Sequence, residues 1–573
     1  MHKRIWLFAG AALASLMLVA AAGAMTSAVR APESTQAAKS SRVLPAIPGV
    51  PDSPAARKAK SILVFGAEQD IDGFNTALEC CSQYWAVVIG NTTETRGAFI
   101  ITGNLSYKPD LISSAKLGAK PFRVTYNIRK NAKWSDGVPV SASDFIYTWK
   151  QIMNPNNDVT GRDGYDQITR AKTANHGKTI TFFFKAVYAD WHDLFSGVYP
   201  AHALKGQDFN KIWTNCVCGA NGKPISDGPF ILTSYRKGTD ATLVANPKWY
   251  GPKPKLKEIV FRFIQDTNSE IQAMRGGEVD AIQPSPQTAL TQLQNQSGIV
   301  YNAIPALYFE HIDLSGAGDH NPLMDKPWFR QAVISAIDRV ALVRTFYGTI
   351  FPSEVPMQSL LFYPRDKRYK AHFAKWNFNA QRAITLLKAH GCTGGPSSPG
   401  GGGVFSCGGQ RASILERTIS SNKRRLASFA IYQDELAKVG IELRNGLVAD
   451  ANTLFGTGPN SVSAGNWDMA EYAWVTTPDP SGFVPWLKCK GLSNHMTYCN
   501  KKVSKLLDAS DQMAVATKRA NTLNKADKIM AGEVPVIPLY AQPSILVHKA
   551  AVRGMVNNPS LYGPTWNAEA WHF

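Results

Sequence analysis

The chain has 573 residues, 44% hydrophobic and 10% aromatic, which is too long for one growing core and rich enough to fill two or more. Its 62 basic and 43 acidic residues give a formal net charge of +19, but the basic residues are dispersed and no RNA- or DNA-reading motif accompanies them, so a nucleic-acid partner is not expected. No G-x-S-x-G, HExxH or G-x-x-x-x-G-K-[ST] pattern occurs and the 11 histidines are scattered, which argues against an enzyme, with a secreted hydrolase the distant alternative.

The chain opens with His2-Lys3-Arg4 and an apolar run from Ile5 to about Ala22, so residues 1–28 read as an export signal peptide. Ala22-Gly23-Ala24 and Thr26-Ser27-Ala28 both fit small-x-small cleavage, and an uncleaved membrane anchor is the alternative. The product is therefore expected in the periplasm or at the cell surface. No Cys precedes Cys80, which leaves none for lipid attachment at a cleavage site. Residues 29–58, rich in Ala, Pro and Ser, read as a flexible tether.

The eight cysteines form an even set, which in an exported chain favours disulfides. Cys392 and Cys407 bracket a glycine-rich segment, and Cys489 with Cys499 closes a second local loop. Each closure would stabilise by roughly 3 kcal/mol. Cys80, Cys81, Cys216 and Cys218 are open to cross-pairing between the two groups, with their connectivity undecided. A metal site is their sharper alternative, but without nearby His ligands neither a metal nor any other cofactor is expected.

Beyond the tether, SILVFGAEQD reads as a buried strand and DIDGFNTALECCSQYW as the loop after it. Phe122, Val124, Tyr126 and Ile128 alternate, and a helix from Ser141 to Met153 follows, with Ser141 and Asp144 at capping-box spacing. Between Asp227 and Ile282 the period-2 runs on either side of Lys237-Gly238 predict an antiparallel hairpin. Ile259, Phe261 and Phe263 predict another strand, and a short helix N-capped by Asn268 stops at Gly276-Gly277. Phe329, Val333, Ile337 and Val340 fall at the spacing of one helix ended by Gly348; a later helix stops at Gly440 before a strand.

Three of these blocks carry a family resemblance: FRVTYNIRKNAKWSDGVPVSASDFIYTW, the stretch Asp227–Ile282, and WFRQAVISAIDRVALVRTFYGTIFP. They resemble the extracellular solute-binding proteins of the peptide/nickel type, family 5, that serve bacterial ABC importers. VPVIPLY, from Val534 to Tyr540, resembles the segment returning to the first lobe. The resemblance implies an α/β, two-lobed periplasmic-binding-protein-like fold with mixed sheets. Lobe I would comprise residues 59–304 plus 535–573, with an extra subdomain at about 105–224, and lobe II residues 305–534. Two hinge crossings would lie near Ile304-Pro305 and Glu533-Val534.

The same resemblance implies capture of a small solute, a peptide or a related compound, in an interlobe cleft. Delivery would be to ABC permease subunits whose ATPase lies on separate chains, by a monomeric receptor. A nickel complex, siderophore, haem or glycan, or a sensor role, is the alternative on the same fold. In lobe II the expected ligand contacts are Tyr472, Trp474, Val475, Thr476, Thr477 and Asp479; Trp467, Met469 and Phe483 read as core. In lobe I the loop after the first strand offers Asn75 and Gln83, and above all Glu79, Tyr84 and Trp85; Trp566 is a further cleft candidate. Peptide binders carry an Asp for the peptide amino group where this chain has Thr477, which weakens the case for zwitterionic peptides. Trp134, Asp136 and Gly137 read as a structural turn, and Glu310-His311 as a strand or surface feature.

Overall fold

The computed structural model describes residues 44–93 and 96–573. The stretch read as a signal peptide, and that read as a tether up to residue 43, lie outside the described residues. The end of the stretch read as tether is ordered instead, because Pro54–Lys60 is a helix capped by Ser53. Its Arg57 is buried against Asp280, with Nη2 and Oδ1 2.7 Å apart, so the segment is tied to the body.

A ten-stranded mixed sheet runs through the molecule in the order Glu442–Asn445, Ser413–Arg417, Met469–Val475, Ile299–Leu314, Val536–Lys549, Ala281–Ile282, Ile62–Ala67, Glu258–Phe263, Asp240–Ala245, Phe230–Arg236. The two longest strands, Ile299–Leu314 and Val536–Lys549, pair antiparallel at its centre. On one side of them Ile62–Ala67 is parallel to Glu258–Phe263 and Ala281–Ile282. On the other, Ser413–Arg417 is parallel to Glu442–Asn445 and Met469–Val475. The central pair is interrupted where Pro305 faces Pro543, and the register shifts before Tyr308. Neither proline has an N–H to give, so the ladder is weakest at this point.

Ile62–Ala67 is buried on both faces. Leu63 and Phe65 enter one core with Trp85, Phe261 and Trp571, while Ile62 and Val64 enter the other with Phe309 and Ile312. That division follows from the two-residue period of a strand. A separate four-stranded antiparallel sheet, Ile112–Ala119, Phe122–Ile128, Thr179–Phe184 and Ile168–Ala174, lies within the stretch read as an extra subdomain.

The hairpin at Lys237-Gly238 pairs Phe230–Arg236 with Asp240–Ala245. The capping box of helix Ala142–Met153 is present. Two expectations need correction. The cap of helix Thr267–Gly276 is Asp266, not Asn268, because the Asp266 carboxylate accepts the Ser269 N–H. The run from Phe329 to Gly348 is two helices, Pro327–Ala336 and Arg339–Tyr347. Asp338 breaks it by accepting the N–H groups of Val340 and Ala341, as an N-cap does, which leaves Val340 half exposed at 50%.

All eight cysteines are paired: Cys392–Cys407 and Cys489–Cys499 as expected, and Cys80–Cys81 and Cys216–Cys218 within their own groups rather than across them. A bond between neighbours uses up both thiols and leaves nothing to cross-pair. Among the described residues no cluster of His, Cys, Asp or Glu is suited to a metal.

Candidate functional site

A cavity of about 130 Å³ opens between the two halves of the sheet. One wall is built where parallel strands end: Glu68 and Gln69 follow Ile62–Ala67, Gln265 follows Glu258–Phe263, and Gln283 to Pro286 follow Ala281–Ile282. The facing wall has the same construction, with Ile419, Ser421 and Asn422 after Ser413–Arg417 and Ala451 after Glu442–Asn445. The carboxyl ends of parallel strands are where open α/β sheets bind ligands. Tyr84, Trp85, Tyr308, Phe455 and Val475 supply apolar area, and Pro543 of the interrupted central pair lies in the same lining.

The polar lining is a connected network. The Tyr84 hydroxyl donates to Gln283 Oε1 at 2.7 Å and lies 2.7 Å from the Tyr308 hydroxyl. Gln283 Nε2 donates to Ser544 Oγ at 2.7 Å. Glu68 Oε1 accepts from Thr267 Oγ1 at 2.6 Å, and burial raises this carboxyl above its ordinary range. Across the cavity Arg425 is committed to Glu310, with Nε and Oε1 2.7 Å apart, and fully buried Arg424 lies between Glu310 and Glu471. The two guanidinium groups outweigh burial and hold Glu310 well below the usual carboxylate range. Glu471 is pushed the other way, to about 8, by burial and by the charge of Glu310.

Beyond the cavity a polar seam joins the antiparallel subdomain and its flanking loops to the second half. Thr477 Oγ1 donates to Asp193 Oδ2 at 2.7 Å, and Tyr107 donates to Asp193 Oδ1 at the same distance. The Ser481 N–H donates to Asp190 Oδ2 at 2.9 Å, Arg519 pairs with Asp190, and Lys488 pairs with Asp163. Glu79 Oε1 meets His495 Nε2 at 3.1 Å. At the cavity's edge Asn422 Nδ2 donates to Ser285 Oγ at 3.0 Å, and Lys423 reaches Asp266 at 3.1 Å. These bridges link the two halves.

Of the residues singled out in the sequence, Tyr84, Trp85 and Val475 line the cavity. Trp85 is also core, 2% exposed and packed on Phe65. Tyr472 and Trp474 do not line it: alternation along Met469–Val475 sends Ala473 and Val475 into the cavity and these two to the opposite face. There the Tyr472 hydroxyl donates to Asp313 at 2.5 Å, and Trp474 packs on Tyr472 and Trp486. Thr476 is buried, 3.0 Å from the Tyr363 hydroxyl. Glu79, Thr477 and Asp479 belong to the seam, Asp479 lying 4.0 Å from Arg519. Trp566 lines a different groove with Arg96, Trp249 and Tyr250, and donates to the Val556 carbonyl at 2.9 Å.

Asn75 is buried and bonded to Tyr199 and to the Phe209 carbonyl, and Gln83 bonds Asp72 and the Cys80 carbonyl, so both serve the loop. Trp467, Met469 and Phe483 are core, and Gly137, at φ +96°, makes the turn after buried Trp134. Glu310 and His311 lie on a strand and are fully buried. Glu68, Gln283, Tyr308 and Arg425 escaped the sequence reading. The one local signal was that Glu68 stands near the end of SILVFGAEQD, the segment read as a buried strand.

Two half-sheets joined by a shared strand pair, with a lined cavity at their strand ends, define a two-lobed solute receptor. Residues 106–494 match the family described as bacterial extracellular solute-binding proteins, family 5 middle, and the chain belongs to that family. The oligopeptide-binding protein OppA of Mycobacterium tuberculosis is 25% identical over 484 residues, covering 80% of this chain and 76% of that protein. Among solved structures the fold is similar to that of AppA from Bacillus subtilis in complex with a nonapeptide, with a TM-score of 0.79, 19% identity, and 89% and 98% of the two chains covered. It is also similar to NikZ from Campylobacter jejuni in complex with Ni(L-His), with a TM-score of 0.77, 20% identity, and 90% and 100% covered. The fold is thus the two-lobed α/β fold of periplasmic binding proteins, and the protein is a solute-binding protein of the ABC-importer type.

Proposed function

We propose that the protein captures its solute by closing the two lobes over the cavity at the strand ends and then presents the closed form to a separate membrane permease. The observation that carries this reading is the cavity itself, lined from both half-sheets and bordered by the proline break in the two long strands that run through both. Lobe I would take residues 59–304 and the last strand beyond Pro543, and lobe II the residues between the two breaks. The first crossing then falls at Pro305–Tyr308, and the second at Gln542-Pro543 rather than at Glu533-Val534, since Val536 still pairs with Asp313.

The solute class includes peptides, as the name of OppA and the nonapeptide held by AppA suggest, and metal complexes, as the Ni(L-His) held by NikZ suggests. Two features favour a small solute. Cavities of about 150 Å³ hold a benzene-sized molecule, and this one is of similar size at about 130 Å³. Thr477, at the position where peptide binders carry an acid, is engaged with Asp193. The receptor works without bond making, as a monomer outside the cytoplasmic membrane, retained by its N-terminal segment or released from it. No helix among the described residues is long and apolar enough to cross a membrane.

The test is X-ray scattering on the mature chain after stripping any bound solute by denaturation and refolding. Closure on return of the released solute supports the reading. A curve identical with and without it overturns the reading.

A further inference from the structure

The cavity has a sign. Of the charged residues lining it, Glu68 and Asp70 are acidic and Arg425 is basic. The Arg425 charge is already spent on Glu310, and that of Lys423 at the edge on Asp266. Helix N-termini facing the cavity would favour an anion, but each is already capped by the chain: Asp266 accepts from Ser269, Asn422 from Arg425 and Asp450 from Thr453. Asp70 is partly satisfied by the Tyr235 hydroxyl at 3.2 Å.

Two carboxyl groups are left over. Glu68 leaves the end of strand Ile62–Ala67 with only hydroxyl and backbone donors of Thr267 and Ser285, and Arg425 acts on it weakly from across the cavity. Glu270 lies one helical turn beyond Thr267, is fully buried, and has no hydrogen-bond partner on either oxygen among the described residues. Its carboxyl sits over Gly66, where a Cβ would come within 3.3 Å of Oε1. Gly66 and Glu68 share one side of the extended chain, which puts Glu68 on the side that Glu270 covers, and Glu270 feels its charge. Burial raises both above the ordinary carboxylate range, and at Glu270 repulsion from Glu68 adds to it. A buried acid without a partner costs stability unless something positive meets it.

We propose that the solute of this receptor carries a cationic nitrogen, an ammonium or a guanidinium, that docks on Glu68 with Glu270 behind it, while its apolar part lies against Tyr84, Tyr308 and Phe455. The inference rests on the receptor reading above and adds the chemical class of the solute. It also supplies a recognition element for positive charge on lobe I, in a chain where Thr477 stands at the lobe II position of the peptide binders' acid.

The probes are butylguanidine and its neutral isostere butylurea, titrated by calorimetry into the solute-stripped mature chain and into the E68Q and E270Q variants. Thermal melting confirms that each variant is folded. The expected result is binding of butylguanidine at least tenfold tighter than butylurea, with the preference reduced at least fivefold in either variant. Equal binding of both probes, or a preference unchanged in both variants, overturns the inference. The solute released from protein purified from culture is identified by mass spectrometry in parallel. A neutral or anionic solute overturns the cation inference and leaves the receptor reading standing. Failure of both probes together with no released solute overturns both.

Discussion

The seam between the lobes should make closure depend on pH. Asp193, Asp479 and Asp511 meet there around Asp190, and among the described residues Arg519 is the one cation in contact with the group. Tyr107, Thr477 and Ser481 donate to it, Lys488 is held by Asp163, and His192 stacks on Tyr107 at the margin. Burial first, and then repulsion from Asp190, raises Asp193 to about 7 and Asp479 to about 8; burial raises Asp511 to about 7.

When the lobes part, these groups face water and titrate near their ordinary value of about 4. The closed form therefore binds more protons than the open form. Its advantage is complete below about pH 4 and declines as pH rises toward 7 to 8. One net proton taken up on closing weakens closure about tenfold per pH unit, or roughly 1.4 kcal/mol. The groups repel one another and share a single guanidinium, so one proton rather than three is the figure to test. Affinity for the released solute, measured by calorimetry from pH 5.5 to 8.5, should fall with a slope near one up to about pH 7 and level off above about pH 8. D479N should flatten that slope and raise affinity at pH 8 by about tenfold. Affinity independent of pH across that range, or rising with it in both the wild type and E68Q, would refute the reasoning.

Further expectations can be checked on the same material. Arg424→Met leaves Glu310 and Glu471 buried with less compensation and should cost about 3–5 kcal/mol in urea unfolding, since the Arg424 side chain is wholly buried between them. Trp474→Ala, which would have reported on solute contact had the side chain faced the cavity, should instead destabilise by about 3 kcal/mol through lost packing on Tyr472 and Trp486. Cys392→Ser with Cys407→Ser opens a loop spanning a separation of 15 residues and should lower stability by roughly 3 kcal/mol, read from the denaturation midpoint. Tyr84→Phe removes the hydroxyl that joins Gln283 to Tyr308, and should cost about 1 kcal/mol of stability or of solute affinity.

The elements that the sequence made legible are those whose signal is local. The period-2 face of Ile259, Phe261 and Phe263, the turn at Gly238 and the stop at Gly277 each rest on a few adjacent residues, and each is found where expected. The break at Asp338 was hidden by an apolar spacing that runs on through it, because capping by a carboxylate overrode the helical pattern. The cavity was less legible because it depends on which strands lie side by side. Tyr84 and Val475, singled out through the family pattern, line the cavity. Trp474, one residue along the same strand from two cavity residues, faces the other way. Glu68 and Glu270 are 202 positions apart in the chain and meet only because Ile62–Ala67 pairs in parallel with Glu258–Phe263, the strand that leads into the helix bearing Glu270.

The most direct test of solute capture between the lobes is native mass spectrometry of the mature protein purified without refolding, beside the Ala473→Trp variant. Ala473 lines the cavity opposite Glu310 and carries no charge itself, so a tryptophan there fills the space beside the Glu310–Arg425 pair without removing either charge. The account expects a bound species released from the wild type on denaturation and absent from the variant, with both proteins folded. The same species retained equally by both would contradict it.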